Sequence, residues 1–190
     1  MLKRDCILNK NFTDLYNKFC PGPLTFILKL KKDSKISKFV TNKKKTLAVR
    51  FPSHPRAKSL LKILNYPLAA PSANISSRVS PVTKNHVKEE FGKKIKYIIE
   101  GGLSKIGLES TIINLIGKPE VLRIGSIDIN KLSKALKKKL LYRKKTYMKV
   151  PGQNRLHYSP GIPLRMNCKE ASLDEAFIPV SYTHLRAHET

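Results

Sequence analysis

The 190-residue chain has no tryptophan, three cysteines and only 13 acidic residues. Cys6, Cys20 and Cys168 are an odd number without metal-type spacing, which excludes a disulfide scaffold and a Cys-cluster zinc site and fits a reducing, cytoplasmic compartment. No apolar run is longer than a few residues, so no membrane span fits. The N-terminus MLKRDCILNKNF lacks both an apolar core and a small-residue cleavage site, which speaks against a secretory signal. Also missing are a P-loop, a GxGxxG fingerprint, an HExxH pair and a GxSxG elbow. Those gaps exclude the common signatures of phosphate cradling, dinucleotide binding, zinc proteolysis and serine hydrolysis.

What the chain has in excess is positive charge. Thirty-eight Lys and Arg against 13 Asp and Glu give +25. Eight lysines and one aspartate fall in residues 29–45, and nine cations with no acid fall in 131–149. Such a field attracts polyanions, RNA among them. It equally fits solvated faces of a lysine-rich protein, because 29 of the 38 cations are Lys, where bidentate phosphate work favours Arg. Hydrophobic residues at 41% and charged residues at 27% describe a globular chain.

The periodicity predicts helices over 12–20, 54–65 with Ser53 as N-cap, and 80–91 with Ser80 as N-cap and Pro81 at the first turn. A further helix is expected from Asp128 to near Leu141. Strands are expected at 25–30, 46–51 and 96–100, and the segment 67–73 reads as leaving a strand for a loop. Residues 110–116 and 121–125, separated by GKPE, read as a hairpin. Strands interleaved with helices, plus a hairpin, predict an α/β (α+β) domain with a mixed sheet. Residues 142–163 have linker composition, and the last ten or so, SYTHLRAHET, resemble a translated sequencing adapter. His184 and His188 lie there, so their spacing is not read as a metal pair.

The residues left to carry chemistry are small polar groups and arginines at strand ends and in Gly/Pro-rich loops. Such a set suits a site that positions a phosphorylated ligand without a covalent nucleophile. Arg50, near the end of its strand, can clamp a carboxylate or phosphate, or sit as a surface arginine. Ser72 and Asn74 in APSAN, Ser80 at a helix start, and the loop GGLSKIGLESTI offer donors, and each also has a plain turn or capping reading. Glu109 is a base or metal candidate standing alone, and Arg123 is the next cation able to face the same ligand.

Taken in order, PGPLT, T-x-x-x-R-x-P, APSAN-x-S, SP, GG-x-S-x-x-G-x-EST and LR-x-G resemble the YrdC family of threonylcarbamoyl-AMP synthases over roughly 12–163. The trailing PG-x(4)-HYSP resembles the linker of longer members. The resemblance implies a twisted open mixed sheet with a concave positive surface. It implies synthesis of threonylcarbamoyl-AMP and pyrophosphate from L-threonine, bicarbonate and ATP, with Mg²⁺ accompanying the ATP. A second enzyme would pass the threonylcarbamoyl group to a tRNA adenosine. Carried over by position, Thr46, Ser72, Ser80, Arg123 and Tyr158 fall on the ATP side, and Arg50, Ala70 and Ser110 on the threonine side.

The family's Lys-x-Arg constellation upstream of PGPLT has no match, since Lys3-Arg4 differs in spacing and context. The expectation is therefore a catalytic domain at 1–141 short of its N-terminal part, a linker at 142–163, the start of a second domain at 164–178, an artefactual tail at 179–190, and little turnover. Two other readings stay open: an RNA-binding module without catalysis, and a carbamoyl-transfer domain like that of hydrogenase maturation proteins. The missing zinc-finger cysteines disfavour the latter.

Overall fold

A computed structural model describes residues 2–76, 78–142, 165 and 170–175. The chain divides into two compact units, residues 1–159 and 160–190. The described part of the second is small: Arg165 pairs with Glu175 and donates to the Glu170 carbonyl at 3.0 Å.

The first unit runs α1 (Leu2–Asp5), β1 (Cys6–Ile7), α2 (Lys10–Phe19), β2 (Leu24–Leu30), α3 (Lys38–Thr41), β3 (Thr46–Arg50), α4 (Pro55–Ile63), α5 (Lys84–Phe91), a 3₁₀ turn at Gly92–Lys94, β4 (Thr111–Asn114), β5 (Glu120–Arg123), α6 (Ile129–Leu136) and β6 (Leu141–Tyr142). The sheet is six-stranded and mixed. Antiparallel β3 takes one flank of β2 from Thr25 to Lys29. On the other flank β4 pairs parallel with Leu24–Ile27, and β1 pairs antiparallel with Lys29 and Leu30. β5 follows β4 antiparallel, and β6 follows β5 parallel.

The period of two sorts β2 into faces. Leu24, Phe26 and Leu28 turn to one side and are buried with Ile113, Leu115 and Val121. Helices α2 and α6 cover that side with Phe12, Leu15, Leu132 and Leu136. Phe12 packs edge-on to Phe26, ring centres 5.0 Å apart. Asn9 caps α2 by accepting from Phe12 N at 3.0 Å, and its amide donates to the Leu115 carbonyl at 2.9 Å, which ties the helix start to the end of β4. Asp128 caps α6 in the same way through Asn130 N at 2.7 Å. The opposite face carries Thr25, Ile27 and their cross-strand partners Arg50 and Ala48, and Ile27, Ile112 and Leu122 form a second, smaller buried cluster there.

Several sequence expectations shift. His54, not Ser53, caps α4: its Nδ1 accepts from Arg56 N at 3.2 Å. Helix α5 starts at Lys84 under a Thr83 cap instead of at Ser80-Pro81, because the Ser80 hydroxyl is engaged elsewhere. The final helix stops at Leu136, where Lys137 adopts a left-handed φ of 50°. Residues 96–100 form no strand and 67–73 leave none. An apolar run becomes a strand only where a neighbour completes its ladder. Here Glu100 instead pairs with Lys84 and accepts from Gly102 N. From Asn42 to Glu109 no described side chain is buried, and Ile63, Tyr97, Leu103 and Leu108 stand exposed. Among the described residues no helix is long and apolar enough to cross a membrane.

Candidate functional site

The sheet face opposite α2 and α6, where Ile27, Ile112 and Leu122 form a small buried cluster, assembles the site. One register row runs Arg50, Thr25, Ile112, Arg123 across β3, β2, β4 and β5. Paired residues share a face, so two arginines far apart in sequence flank Thr25 and Ile112 on one surface. The Thr25 hydroxyl lies 2.8 Å from the Ser110 hydroxyl. Arg123 donates from Nε and Nη2 to the Ser110 carbonyl at 3.1 and 2.9 Å, and from Nη2 to Ser110 Oγ at 3.1 Å. Ser110 is buried, and its hydroxyl sits between the Thr25 hydroxyl and the Arg123 guanidinium.

Glu109 joins the next group. One carboxylate oxygen accepts from Ser80 Oγ at 2.6 Å, and the other pairs with Arg123 Nη2 at 3.5 Å. Arg50 feels the same cluster. Desolvation of its guanidinium lowers its pKa, Glu109 opposes that, and the nearby Arg123 adds to it. Arg50 remains a cation throughout the physiological range. Its Nε reaches the Gly22 carbonyl at 3.4 Å, so the PGPLT turn helps aim it. That turn follows a cis Cys20–Pro21 bond and needs glycine at 22: a Cβ there would lie 2.3 Å from the Phe19 carbonyl oxygen.

The EST segment is clamped from behind. Thr111 is fully buried; its hydroxyl donates to the Ile127 carbonyl at 2.8 Å and accepts from Ile127 N at 3.0 Å and Gly125 N at 3.1 Å. Ser126 donates to the Glu109 carbonyl from N at 3.0 Å and from Oγ at 3.1 Å. Gly125 lies so close that a Cβ would come within 2.3 Å of that carbonyl and 2.5 Å of Thr111 N.

Of the residues singled out in the sequence, Arg50, Ser80, Ser110 and Arg123 come together. Thr46 shares the face of Arg50 at the other end of β3, about 13 Å along the strand. Ala70 and Ser72 are exposed in the connection between α4 and α5, and no hydrogen bond among the described residues links them to the cluster. Tyr158 lies outside the described residues. Sequence reasoning gave no role to Thr25 and Thr111, and it weighed Glu109 only as a lone base or metal candidate, not as the partner of Ser80 and Arg123. Their signal was their place inside PGPLT and EST, whose order was informative before their contacts were visible.

A family model described as telomere recombination, covering the Sua5, YciO and YrdC proteins, matches residues 1–125. The chain belongs to this family. It is 38% identical over 167 residues to a threonylcarbamoyl-AMP synthase of Schizosaccharomyces pombe, covering 81% of this chain and 41% of that protein. It is 40% identical over 152 residues to that of Pyrococcus abyssi, covering 77% and 44%. The structure of P. abyssi Sua5 complexed with L-threonine superposes with a TM-score of 0.69 at 34% identity, over 80% of this chain and 44% of that one. The chain thus spans less than half the length of these relatives. The expected mixed α/β fold of the Sua5/YciO/YrdC family is the fold observed.

A cleft of about 320 Å³ opens at Ser80, walled also by Arg78, His86, Glu89 and Glu90. Its two glutamates suit a polyphosphate poorly, so the arginine row is the better anion site. Among the described residues no three His, Cys, Asp or Glu come together. Glu109, held by Ser80 and Arg123, is the only acid of the arginine cluster described above. Mg²⁺ needs few protein ligands when it travels on a triphosphate, so this donor set fits an ion held chiefly by phosphate and water.

Proposed function

We propose that the chain carries the ligand-binding part of a threonylcarbamoyl-AMP synthase, a nucleotidyltransferase acting on L-threonine, bicarbonate and ATP in the cytoplasm. The observation that carries this reading is the Arg50–Thr25–Ile112–Arg123 row with Ser110 held beneath Arg123. The threonine amine and bicarbonate give a carbamate with loss of water. A carbamate oxygen then forms a bond to the α-phosphorus of ATP, and the bond to the β-phosphate oxygen breaks, releasing pyrophosphate. Such a step needs two anions side by side and charge stabilised on the leaving group.

In this reading Arg50 holds the threonine carboxylate, with Ala70 and Ser110 along the threonine. Ser80 and Arg123, together with Thr46, Ser72 and Tyr158, attend the nucleotide. Ser110 and Arg123 touch each other, so the threonine and nucleotide sides meet where the carbamate must reach the α-phosphate. Preorganised guanidinium groups supply fixed positive charge to the phosphates, and the Ser110 and Thr25 hydroxyls orient the amino acid. Mg²⁺ arrives with ATP and neutralises phosphate charge. A separate transferase uses the product on tRNA. The proposed domain limits are 1–141 for this part, 142–163 for a linker, 164–178 for the start of a second domain and 179–190 for an unrelated tail. We further propose low turnover by these 190 residues alone. No Lys-x-Arg constellation precedes PGPLT, and apolar side chains from Ile63 to Leu108 stand uncovered.

Calorimetric titration tests the assignment. Arg50→Ala is expected to weaken threonine binding by about 1.5–3 kcal/mol, the scale of a hydrogen bond to a charged group, with ATP binding changed much less. Equal loss of both ligands with the fold intact overturns the role of Arg50.

A further inference from the structure

The arginine row leaves two hydrogen-bond donors unspent, and they belong to neighbouring residues. Arg123 Nη2 donates to Ser110 Oγ at 3.1 Å, since a guanidinium has no acceptor to offer. Ser110 Oγ and Thr25 Oγ1 lie 2.8 Å apart and share one hydrogen, although each hydroxyl brings one. One hydrogen of the pair is therefore spare. On Ser110, which is only 5% exposed, it would be a buried donor without an acceptor, which is costly. Thr25 is half-buried, and its hydroxyl makes no other hydrogen bond among the described residues. The chain thus runs from Arg123 through Ser110 to Thr25, each donor polarising the next, and the last hydrogen leaves from Thr25. The second unspent donor is Arg50. Its Nε reaches the Gly22 carbonyl at 3.4 Å, while its two terminal nitrogens make no hydrogen bond among the described residues. Thr25 and Arg50 are cross-strand partners, so their Cβ atoms lie about 4.5–5.5 Å apart on one face.

We propose that Thr25 is a ligand-contacting residue: its hydroxyl and the Arg50 guanidinium together take the carboxylate of the amino acid, one oxygen each. That the ligand is an amino acid rests on the proposed function; the pair of unspent donors rests on the contacts alone. A carboxylate suits the pair because it accepts at two oxygens and brings a negative charge to the guanidinium. Arg50 supplies charge, and Thr25 supplies direction. A β-branched side chain has few rotamers, and the Thr25 hydroxyl is fixed from behind by Ser110. The same chain joins the two sides of the site, because Arg123, assigned to the nucleotide, stands at its head.

Calorimetric titration of the whole chain tests this with Thr25→Val, which removes the hydroxyl and keeps the shape, and Thr25→Ser, which keeps the hydroxyl. Thr25→Val is expected to weaken L-threonine binding about tenfold, the scale of one hydrogen bond to a charged group, and to leave ATP binding within about twofold. Thr25→Ser should stay within about threefold of the parent for L-threonine. L-threoninamide, which lacks the carboxylate charge, should lose less than about threefold in Thr25→Val. Equal losses for L-threonine and its amide overturn the proposal, because Thr25 would then read another group of the ligand. An unchanged L-threonine affinity in Thr25→Val, a loss confined to ATP, or a serine variant as weak as valine overturns it too, and each leaves the threonine reading in place. Glycine carries the same carboxylate without the side chain. A parent chain that binds glycine as well as L-threonine, with both weakened in Thr25→Val, removes the threonine reading and upholds the role of Thr25. A parent chain that binds neither amino acid overturns both.

Discussion

Replacing Thr111 by valine removes one hydroxyl and almost no volume. That hydroxyl is fully buried and makes three hydrogen bonds, to Ile127 O, Ile127 N and Gly125 N. At about 1 kcal/mol net for each bond, Thr111→Val should cost about 3 kcal/mol. The loss tends upward because Ile127 is itself buried and its N–H and C=O are left without this partner. Thr111→Ser keeps the hydroxyl and loses one methyl, so it should cost about 1 kcal/mol. Equilibrium urea unfolding followed by circular dichroism measures both, and the slope with denaturant should not change. The segment 125–127 leads into α6, so amide exchange in Gly125–Ile127 should accelerate in the valine variant before exchange in β2 does. A valine variant within about 0.5 kcal/mol of the parent, or a serine variant that costs more than valine, would refute the reasoning that the hydroxyl is the hub.

Gly125→Ala should destabilise by about 1–3 kcal/mol through overpacking against the Glu109–Thr111 backbone, read from the urea midpoint, and should also weaken threonine binding because the EST segment must move. Asp5 gives a pH prediction. Burial raises its pKa, but hydrogen bonds from Ser34 and Lys35 and the charge of Arg4 outweigh that, so the folded value lies below the ordinary 3.8. Its stabilisation is complete above the unfolded value and is lost as pH falls through the folded one, so unfolding free energy should drop on acidification below about pH 4 and Asp5→Asn should flatten that limb.

The β2, β3 and β4–β5 strands were legible because each carries β-branched or large apolar residues bounded by Pro or Gly, and each found a neighbour. Helices α2 and α6 were legible from Phe12, Leu15, Leu132 and Leu136 at helical spacing over one face. The run KYIIE has equal strand propensity and forms none, since a ladder is a property of two segments and a single sequence displays one. Ser80 was misread for a related reason. Serine before proline is a sound local cap signal, but its hydroxyl met a carboxylate from a loop far along the chain, which outcompetes a backbone N–H. The arginine pair was legible as two candidates and not as a row. Their juxtaposition depends on the registers Thr25–Arg50 and Ile112–Arg123 and on the irregularity between Ile112 and Ile113, none of which has a local signature.

Charge shows the same division between what composition reveals and what architecture decides. The lysine-rich runs dominate the net charge, and many of their side chains are exposed, among them Lys43, Lys44 and Lys45 before β3 and Lys137, Lys138 and Lys139 after α6. Flexible ammonium groups in water are screened within about 8–10 Å, so they raise the local concentration of an anion without fixing its pose. The arginine row works differently. Arg123 is half-buried, its guanidinium is held by the Ser110 carbonyl, and its neighbour Arg50 is partly desolvated, so an arriving carboxylate or phosphate meets donors already oriented and partly stripped of water. In the proposed reading, two arginines set by strand register decide where an anion is held, and the far larger lysine population decides how fast it arrives. Raising the salt concentration should slow ligand association much more than it speeds dissociation.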